Sequence, residues 1–529
     1  MARYKHYDYG QMRLVAVSYA KQILPGTFEF AVNQLIDERV DLSVFAARYK
    51  NDTKGAPAYD PALLLKVILY SYSKGITSSR GIEALCREHV ICMALCADVV
   101  PHFTTLADFI ASLHREIVSL FRDVLLVCDE AGLIGREMFA VDGVKLPSNA
   151  SKEWSATREE FAKKVAKMQR AIEVLTTKHR EADQAAWEQP VSSSAARSCE
   201  EVAQAQAREK QIRTLKRASE KINTWLEKNE DKIGAAGRIK KSNITDNESA
   251  KIKTSKGVIQ GYDGIAVVDE ANQIVVHAQA FGEAQEHHLL VPMLEGTREQ
   301  FQAISGRGPD KDVLKHAKVC ADAGFHTDDN IKYITENEID GYVADTLFRK
   351  RDPRFAEAKH HKEPIPRKAK HFQPKDFHHD PETQTCICPA GEFLYQNGRH
   401  CNIGGREAVK FTGAQRVCGP CEIRDQCLRH PERGAVRQVV FFTGHKFKPI
   451  HTYTEQMKRK IDTEAGRYQY SKRLGTVEPV FANICSNLGL KRFSHRGRTK
   501  VNTQWMMFCL VHNIGKLQRY GNLEGTTKH

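Results

Sequence analysis

Gly261-Tyr262-Asp263-Gly264-Ile265-Ala266-Val267-Val268 and Ile274-Val275-Val276-His277-Ala278-Gln279-Ala280-Phe281 are two runs rich in β-branched residues, parted by Asp269-Glu270-Ala271-Asn272. Branched side chains suit a pleated surface, and a polar break between two such runs predicts a β-hairpin. Upstream, Met138-Phe139-Ala140-Val141 reads as a buried strand ending at Asp142. Downstream, Val319-Cys320-Ala321 is a short strand reaching Asp322, a helix is expected from Asn330 to Thr335, and Gly341-Tyr342-Val343-Ala344 is a further strand. One strand, a hairpin, then alternating helix and strand predict an α/β (mixed) sheet.

The chain around this sheet has 529 residues, 41% of them hydrophobic, enough for a substantial core and for two to four modules. A formal net charge of +14 favours a polyanionic partner, nucleic acid first, against the plainer reading of a basic soluble protein. There is no run of about 18 apolar residues and no apolar signal core after Met1, so a cytoplasmic location is expected. In a reducing compartment the 14 cysteines read as buried thiols or metal ligands rather than disulfides.

Residues 1–135 read as helical. Pro61 suits the first helical position before Ala62–Tyr70, a second helix is expected around Ile82–Leu85, and a third from Leu106 to Cys128, capped within Thr104–Asp108. Between Trp154 and Lys232, Val165, Met168, Ile172 and Leu175 repeat in a three-four rhythm, as do Ile212, Leu215, Ser219, Ile222 and Leu226. Gln189-Pro190 followed by Val191 and serines interrupts them, which predicts a helical hairpin that serves either as a solvated spacer or in DNA binding or dimerisation. Residues 346–380 are basic and irregular, with Arg349-Lys350-Arg351, His360-His361-Lys362 and Arg367-Lys368 among prolines.

Cys386, Cys388, Cys401, Cys418, Cys421 and Cys427 then fall close together. Cys418-Gly419-Pro420-Cys421 is a spacing used for structural zinc, which takes four thiolate or imidazole ligands. The preferred set is Cys388, Cys418, Cys421 and Cys427. Cys386 could replace Cys388, Cys401 or His400 could be bystanders, and a cluster of reduced free thiols is the alternative.

Asp142 follows Phe139-Ala140-Val141, Asp322 follows Val319-Cys320-Ala321, and Glu478 stands in Val477-Glu478-Pro479-Val480-Phe481, five residues after Tyr470-Ser471-Lys472-Arg473. Each could be a turn, cap or ion-pair residue taken alone. Together they suggest carboxylates gathered from separate elements around two divalent metals, for which Asp and Glu are the fitting oxygen donors. With these motifs, with Tyr59-Asp60-Pro61 and Gly75-Ile76-Thr77-Ser78-Ser79-Arg80, and with Arg496-Gly497 and His512-Asn513-Ile514-Gly515-Lys516-Leu517, the chain resembles the bacterial insertion-sequence DDE transposases that carry a Tyr-x-x-Arg…Glu signature. The resemblance spans nearly the whole chain apart from the helical insertion.

The resemblance implies an RNase H-like core, whose strand order is the one expected above. It implies Asp142, Asp322 and Glu478 as ligands of two Mg²⁺ ions, with Mn²⁺ able to substitute. It implies double-stranded DNA as partner, both transposon ends and target, an enzyme that cuts the ends and joins them to target DNA, and a homo-oligomer, expected as a dimer. It implies a bacterial, nucleoid-associated setting. Tyr470, Lys472 and Arg473 become candidates for DNA contact, and so do Lys491, Arg492 and Arg496 in the basic stretch before Lys500. Two features depart from the family pattern: Cys485 stands where a Lys is usual, on the same helix face as Glu478, and Arg473 to Glu478 is one residue longer than the common form. Pro479 pushes its predecessor from helical geometry, so Glu478 is expected at a helix start or a kink. His512 is expected to be structural, in an amphipathic helix from Trp505 to Leu517.

The expected organisation is a helical N-terminal DNA-binding or assembly domain at 1–135, a core built from 136–147 and 240–345, a helical-hairpin insertion at 148–239, a basic and cysteine-rich insertion at 346–460, and the Glu-bearing end of the core at 461–529. The competing functions are a catalytically inactive DNA-binding protein, such as a repressor, and a stand-alone metal-dependent nuclease.

Overall fold

The computed structural model describes residues 17–49, 57–187, 199–234, 237, 239–305, 312–355, 371–403, 406–433, 435–446 and 452–522. The basic pairs expected at 360–362 and 367–368 lie outside the described residues. The chain divides into two compact units, Met1–Thr346 with Thr463–His529, and Leu347–Asp462.

The first unit opens with six helices: α1 (Phe28–Glu38), α2 (Pro61–Ser73), α3 (Ser79–Glu88), α4 (Val90–Leu95), α5 (Phe103–Ser112) and α6 (Ile117–Glu130). Pro61 occupies the start of α2 and Asp60 Oδ1 accepts from the Ala62 N–H, so the pre-set φ and the cap coincide. The single helix expected from Leu106 to Cys128 is two, parted by a 3₁₀ turn at Leu113–Arg115. No Gly or Pro marks the break. It is tertiary: Leu113 is buried, and Arg48 bonds Ser112 Oγ on one side of the turn and pairs with Glu116 on the other. The cap of α5 is His102, whose Nδ1 accepts from Thr104 N–H, rather than a threonine.

Strand β1 (Met138–Pro147) runs past Asp142 instead of ending there. After it come the insertion helices α7 (Arg158–Trp187) and α8 (Cys199–Lys228), whose bases pack Phe161, Val165, Ile222 and Trp225 together. Strands β2 (Ala250–Thr254), β3 (Gly257–Asp269) and β4 (Val275–Phe281) follow, then α9 (Leu290–Ser305), β5 (Lys318–Ala321), α10 (Asp328–Glu336) and β6 (Asp340–Val343). The sheet order is β6-β5-β1-β3-β2, with β4 also paired to β3. β1 is parallel to β5 and β5 to β6, while β1, β2 and β4 run antiparallel to β3. β1 is long because β3 pairs with it as far as Pro147, opposite Gly261. β5, however, stops at Ala321, opposite Val141. From Asp142 onward β1 therefore has a neighbour on one side only.

The second unit is an antiparallel sheet of β7 (His378–Asp380), β8 (Thr385–Ile387), β9 (Phe393–Gln396), β10 (Cys401–Ile403), β11 (Arg406–Thr412) and β12 (Gln438–Lys446), in the order β7-β8-β9-β11-β10 with β12 on β11. Phe377, Cys386, Leu394, Val409, Phe411 and Val439 form its core. The helix α11 (Tyr453–Asp462) ends this unit.

The first unit closes with α12 (Glu464–Ala482), a π turn at Asn483–Asn487 and α13 (Arg498–Tyr520). α12 packs on β1, β5 and β6, and α13 on β4, α1, α2 and α6. Side chains alternate between the faces of a strand. The register puts Asp142 on the face that α12 covers, and Phe139, which meets Phe301 of α9 at 5.7 Å between ring centres, on the other. α13 is not amphipathic: every residue from Thr503 to Ile514 is buried, so it is a core helix.

Glu478 lies well inside α12, not at a helix start, and Pro479 is accommodated within it. A proline removes the donor that would serve the carbonyl four residues earlier. That carbonyl is Gly475 O, and Gln273 Nε2 donates to it at 3.0 Å. Gln273 O and Oε1 in turn bond His512 Nε2 and Lys516 Nζ of α13, so one side chain satisfies the gap and ties the two helices. His512 also contacts Asn483 Nδ2 and burial lowers its pKa to about 4, which suits a neutral structural imidazole.

Candidate active site and nucleic-acid interface

Asp142 sits where β1 loses its β5 neighbour, and Asp322 is the residue after β5 ends. Two parallel strands thus deliver both carboxylates to one edge. Asp322 precedes a 3₁₀ turn, Ala323–Phe325, yet its side chain makes no capping bond and stays available. Arg473, buried on α12, joins them: Nη1 pairs with Asp142 Oδ2, and Nη2 stands 3.2 Å from Asp322 Oδ1. Tyr470, one turn earlier, has its ring 5.6 Å from the same guanidinium. Burial pushes the Asp142 carboxyl up to about 6; Arg473 pulls against this and the Asp322 charge adds to it.

Glu478 is not brought to this pair. It is exposed, and the buried stripe of α12 runs through Gln469, Arg473, Thr476, Val477 and Val480. At 3.6 residues per turn, five residues place it about 140° round the axis from Arg473. Cys485 falls within the π turn, so α-helical spacing does not carry it to the face of Glu478; there burial raises its pKa. Lys472 is bonded to Glu270 at 3.0 Å. Of the α12 candidates, then, Tyr470 and Arg473 belong to the aspartate pair and Lys472 to a surface ion pair.

The other basic candidates line a separate feature. Lys491, Arg492 and Arg496 are exposed, and Arg496 Nε bonds Asn149 O at 2.9 Å. Arg492 and Arg496 form one wall of a groove of about 620 Å³, with Asn149, Lys152, Trp154 and Lys221 around it. Lys164 and Lys221 stand 4.9 and 5.0 Å from the Trp154 ring centre. Basic side chains grouped with an aromatic face suit a phosphodiester backbone. Lys152, Trp154 and Lys221 were not legible as candidates, because α7 and most of α8 part Lys221 from the other two in sequence.

Lys145, Asp263 and Glu286 were also missed. Lys145 Nζ pairs with Glu286 Oε1 at 2.6 Å. Asp263 lies opposite Lys145 in the register, is 0% exposed, and receives no hydrogen bond at either carboxylate oxygen. The group in hydrogen-bonding reach of it is another carboxylate, Glu286, which has no proton to give when both are ionised; burial first, and Glu286 second, hold the Asp263 pKa well above the carboxylate range. Glycines make room for both acids. A Cβ on Gly143 would stand 2.7 Å from Asp263 Oδ1, and one on Gly324 would collide with Glu286 Oε2. The signal in sequence was Asp142-Gly143 and Asp322-Ala323-Gly324, each placing a glycine beside an acid.

In the second unit, Cys388, Cys418, Cys421 and Cys427 all line one cavity of about 30 Å³. The Cys427 thiol is pushed up mainly by burial, and also by Cys418, Cys388 and Cys421. Cys386 is instead a core residue, its pKa raised to about 11 by burial, and His400 pairs with Glu407. Among the described residues no group of three or more His, Cys, Asp or Glu side chains is placed, as it stands, to hold a metal ion.

Two family models match parts of the chain: Transposase DDE domain over residues 387–518, and Transposase domain (DUF772) over residues 17–112. Both are transposase models, and together they cover less than half of the chain. Together the matches support, more particularly, an insertion-sequence DDE transposase. The first match covers the four cysteines and Glu478 and begins after Asp142 and Asp322. No curated protein and no solved structure matches the chain. Among the described residues no helix is long and apolar enough to cross a membrane.

Proposed function

We propose that this protein is a transposase that cuts DNA at transposon ends and transfers the freed strand into target DNA, using divalent metal held at the edge of β1 and β5. The observation that carries this is the convergence of Asp142 and Asp322 on one sheet edge, with Arg473 between them. The mixed sheet, with β1 between the antiparallel β3 and the parallel β5, supports reading the core as RNase H-like. The donor set is carboxylate oxygen, which fits Mg²⁺ or Mn²⁺, and the buried Asp263 adds oxygens that no hydrogen bond serves. When bound, such ions activate a nucleophilic oxygen and stabilise the leaving one.

The chain's own residues supply the rest. Asp142 and Asp322 hold the cation, and Glu478 is the third acid the family implies. To join the pair its side chain must turn in from the exposed side of α12, whose last turns contain Pro479 and lead into the π turn. Arg473 keeps the aspartates together and is placed to meet phosphate charge at the same edge. The groove of Lys152, Lys221, Arg492 and Arg496 grips the duplex backbone, at the Pro147 end of the strand that carries Asp142. Two active sites working on paired ends require an oligomer, with a dimer the simplest.

The test is strand joining on DNA carrying the element's own ends, with Mg²⁺, comparing wild type with Asp142→Ala, Asp322→Ala and Glu478→Gln. Loss of cutting and joining with DNA binding retained supports the assignment. Cutting without joining indicates a nuclease, and binding without cutting by wild type in either metal indicates a DNA-binding protein.

We also propose that Cys388, Cys418, Cys421 and Cys427 hold structural zinc in the second unit, since all four line one cavity. Metal analysis of the purified protein should find zinc that Cys421→Ser reduces; a protein folded and free of zinc would reject this.

A further inference from the structure

Four carboxylates and two cations lie around the β1 edge, on both faces of the sheet. Arg473 approaches Asp142 and Asp322 from the α12 face. Gly143, Lys145 and Asp263 belong to the opposite face by register, and Glu286, in the segment between β4 and α9, lies against them. The two groups can meet because β5 ends at Ala321 and leaves the edge of β1 open beyond it.

Glu286 is only 7% exposed. Its Oε2 occupies the space that a side chain at position 324, two residues after Asp322, would fill. Asp263 occupies the corresponding space beside Gly143, the neighbour of Asp142. Each aspartate of the pair is therefore followed by a glycine that admits an acid from the other face. A fully buried carboxylate that accepts no hydrogen bond costs several kcal/mol unless a charge compensates it. Lys145 and Arg473 are the two cations paired with these acids, Lys145 with Glu286 and Arg473 with Asp142 and Asp322, and neither bonds Asp263.

We propose that Glu286 is a metal-facing carboxylate of this site, joining Asp142 and Asp322 from the opposite face of the sheet, with Asp263 and Lys145 as positioning residues behind it. The inference rests on the metal-dependent reading above and names a ligand which that reading does not contain. Glu286 supplies an acid at the edge where α12 turns Glu478 outward. In this arrangement Lys145 holds Glu286 until a cation takes over its charge, and Asp263 keeps the Glu286 carboxylate aimed at the edge.

The experiment is Mn²⁺ binding to the full chain without DNA, followed by calorimetry and by electron paramagnetic resonance of the free ion. Wild type is compared with Asp142→Asn, Glu286→Gln, Gly324→Ala and, as a control, Glu270→Gln. Thermal midpoints establish that each variant is folded. Glu286→Gln is expected to weaken binding by about tenfold or more, as loss of a ligand or its direct support does. Gly324→Ala keeps every charge but displaces the Glu286 carboxylate, so it should weaken binding similarly, while Glu270→Gln should not. If Asp142→Asn weakens binding and Glu286→Gln and Gly324→Ala do not, Glu286 is no ligand, Asp263 and Glu286 merely share a proton, and the metal reading survives alone. If Asp142→Asn also leaves binding intact, the metal reading falls and this inference with it.

Discussion

The two faces of the central sheet meet at one edge with different means. On the α12 face, Asp142 and Asp322 are partly open and are joined by a guanidinium carried on a helix. On the α9 face, Asp263 is sealed from solvent and leans on a second carboxylate, Glu286, and each of the two acids depends on a glycine for its space. The first arrangement is a charge pairing that a ligand can rearrange. The second is a close-packed acid pair that the backbone was shaped to admit. An acid motif alone, then, does not reveal how much negative charge an edge concentrates; the strand register does.

Perturbing each face separately sharpens this contrast. The largest stability effect is expected from Arg473→Ala, which leaves Asp142 and Asp322 facing each other without a counter-charge. Breaking a buried pair costs about 3–5 kcal/mol, and the 39% exposure of the Asp322 side chain reduces this to about 2. Urea unfolding of the metal-free protein measures it, and an unchanged midpoint would show that the guanidinium is not what holds the pair.

Next comes Gly143→Ala. Its added methyl meets the end of the Asp263 side chain before any backbone, an overpacking cost at the low end of the range, about 1 kcal/mol. Combined with Asp263→Ala the cost should largely vanish, because the two residues compete for one space. Additive losses would contradict the close approach.

The third effect is a pH slope. Asp142 has its pKa raised to about 6, and Asp263 is also raised above the carboxylate range. A carboxyl whose folded pKa is raised contributes stability that is complete below its unfolded pKa and is lost as pH rises through the folded one. The thermal midpoint of the metal-free protein should therefore fall from about pH 4 upward through pH 6 and beyond. Asp263→Asn should flatten the upper part of that slope and leave the part due to Asp142. A midpoint that rises over this range would reverse the sign and refute the assignment.

Much of the sheet was legible because its strands carry dense β-branched runs, and hairpin turns declare themselves locally. The ends were harder. β1 outruns Asp142 because β3 pairs with it, and the break between α5 and α6 comes from Arg48, distant in sequence. Asp142 and Asp322 could be picked out from motifs, since each follows an apolar strand. Lys145, Asp263 and Glu286 could not, because only pairing register places them together. Glu478 shows the converse: its motif is plain, yet the phase of α12 turns it outward. Pro479 suggested a helix boundary, and it was a distant glutamine, Gln273, that let the helix continue.

The central claim is that the edge shared by Asp142 and Asp322 is where DNA is cut. The most direct measurement is single-turnover cleavage of DNA carrying the element's own ends, in Mg²⁺, by wild type and by Asp322→Asn, with DNA affinity measured in parallel. The account predicts that wild type cuts, and that the variant binds equally well and cuts at least about a hundredfold more slowly. Cleavage by Asp322→Asn at the wild-type rate would contradict it.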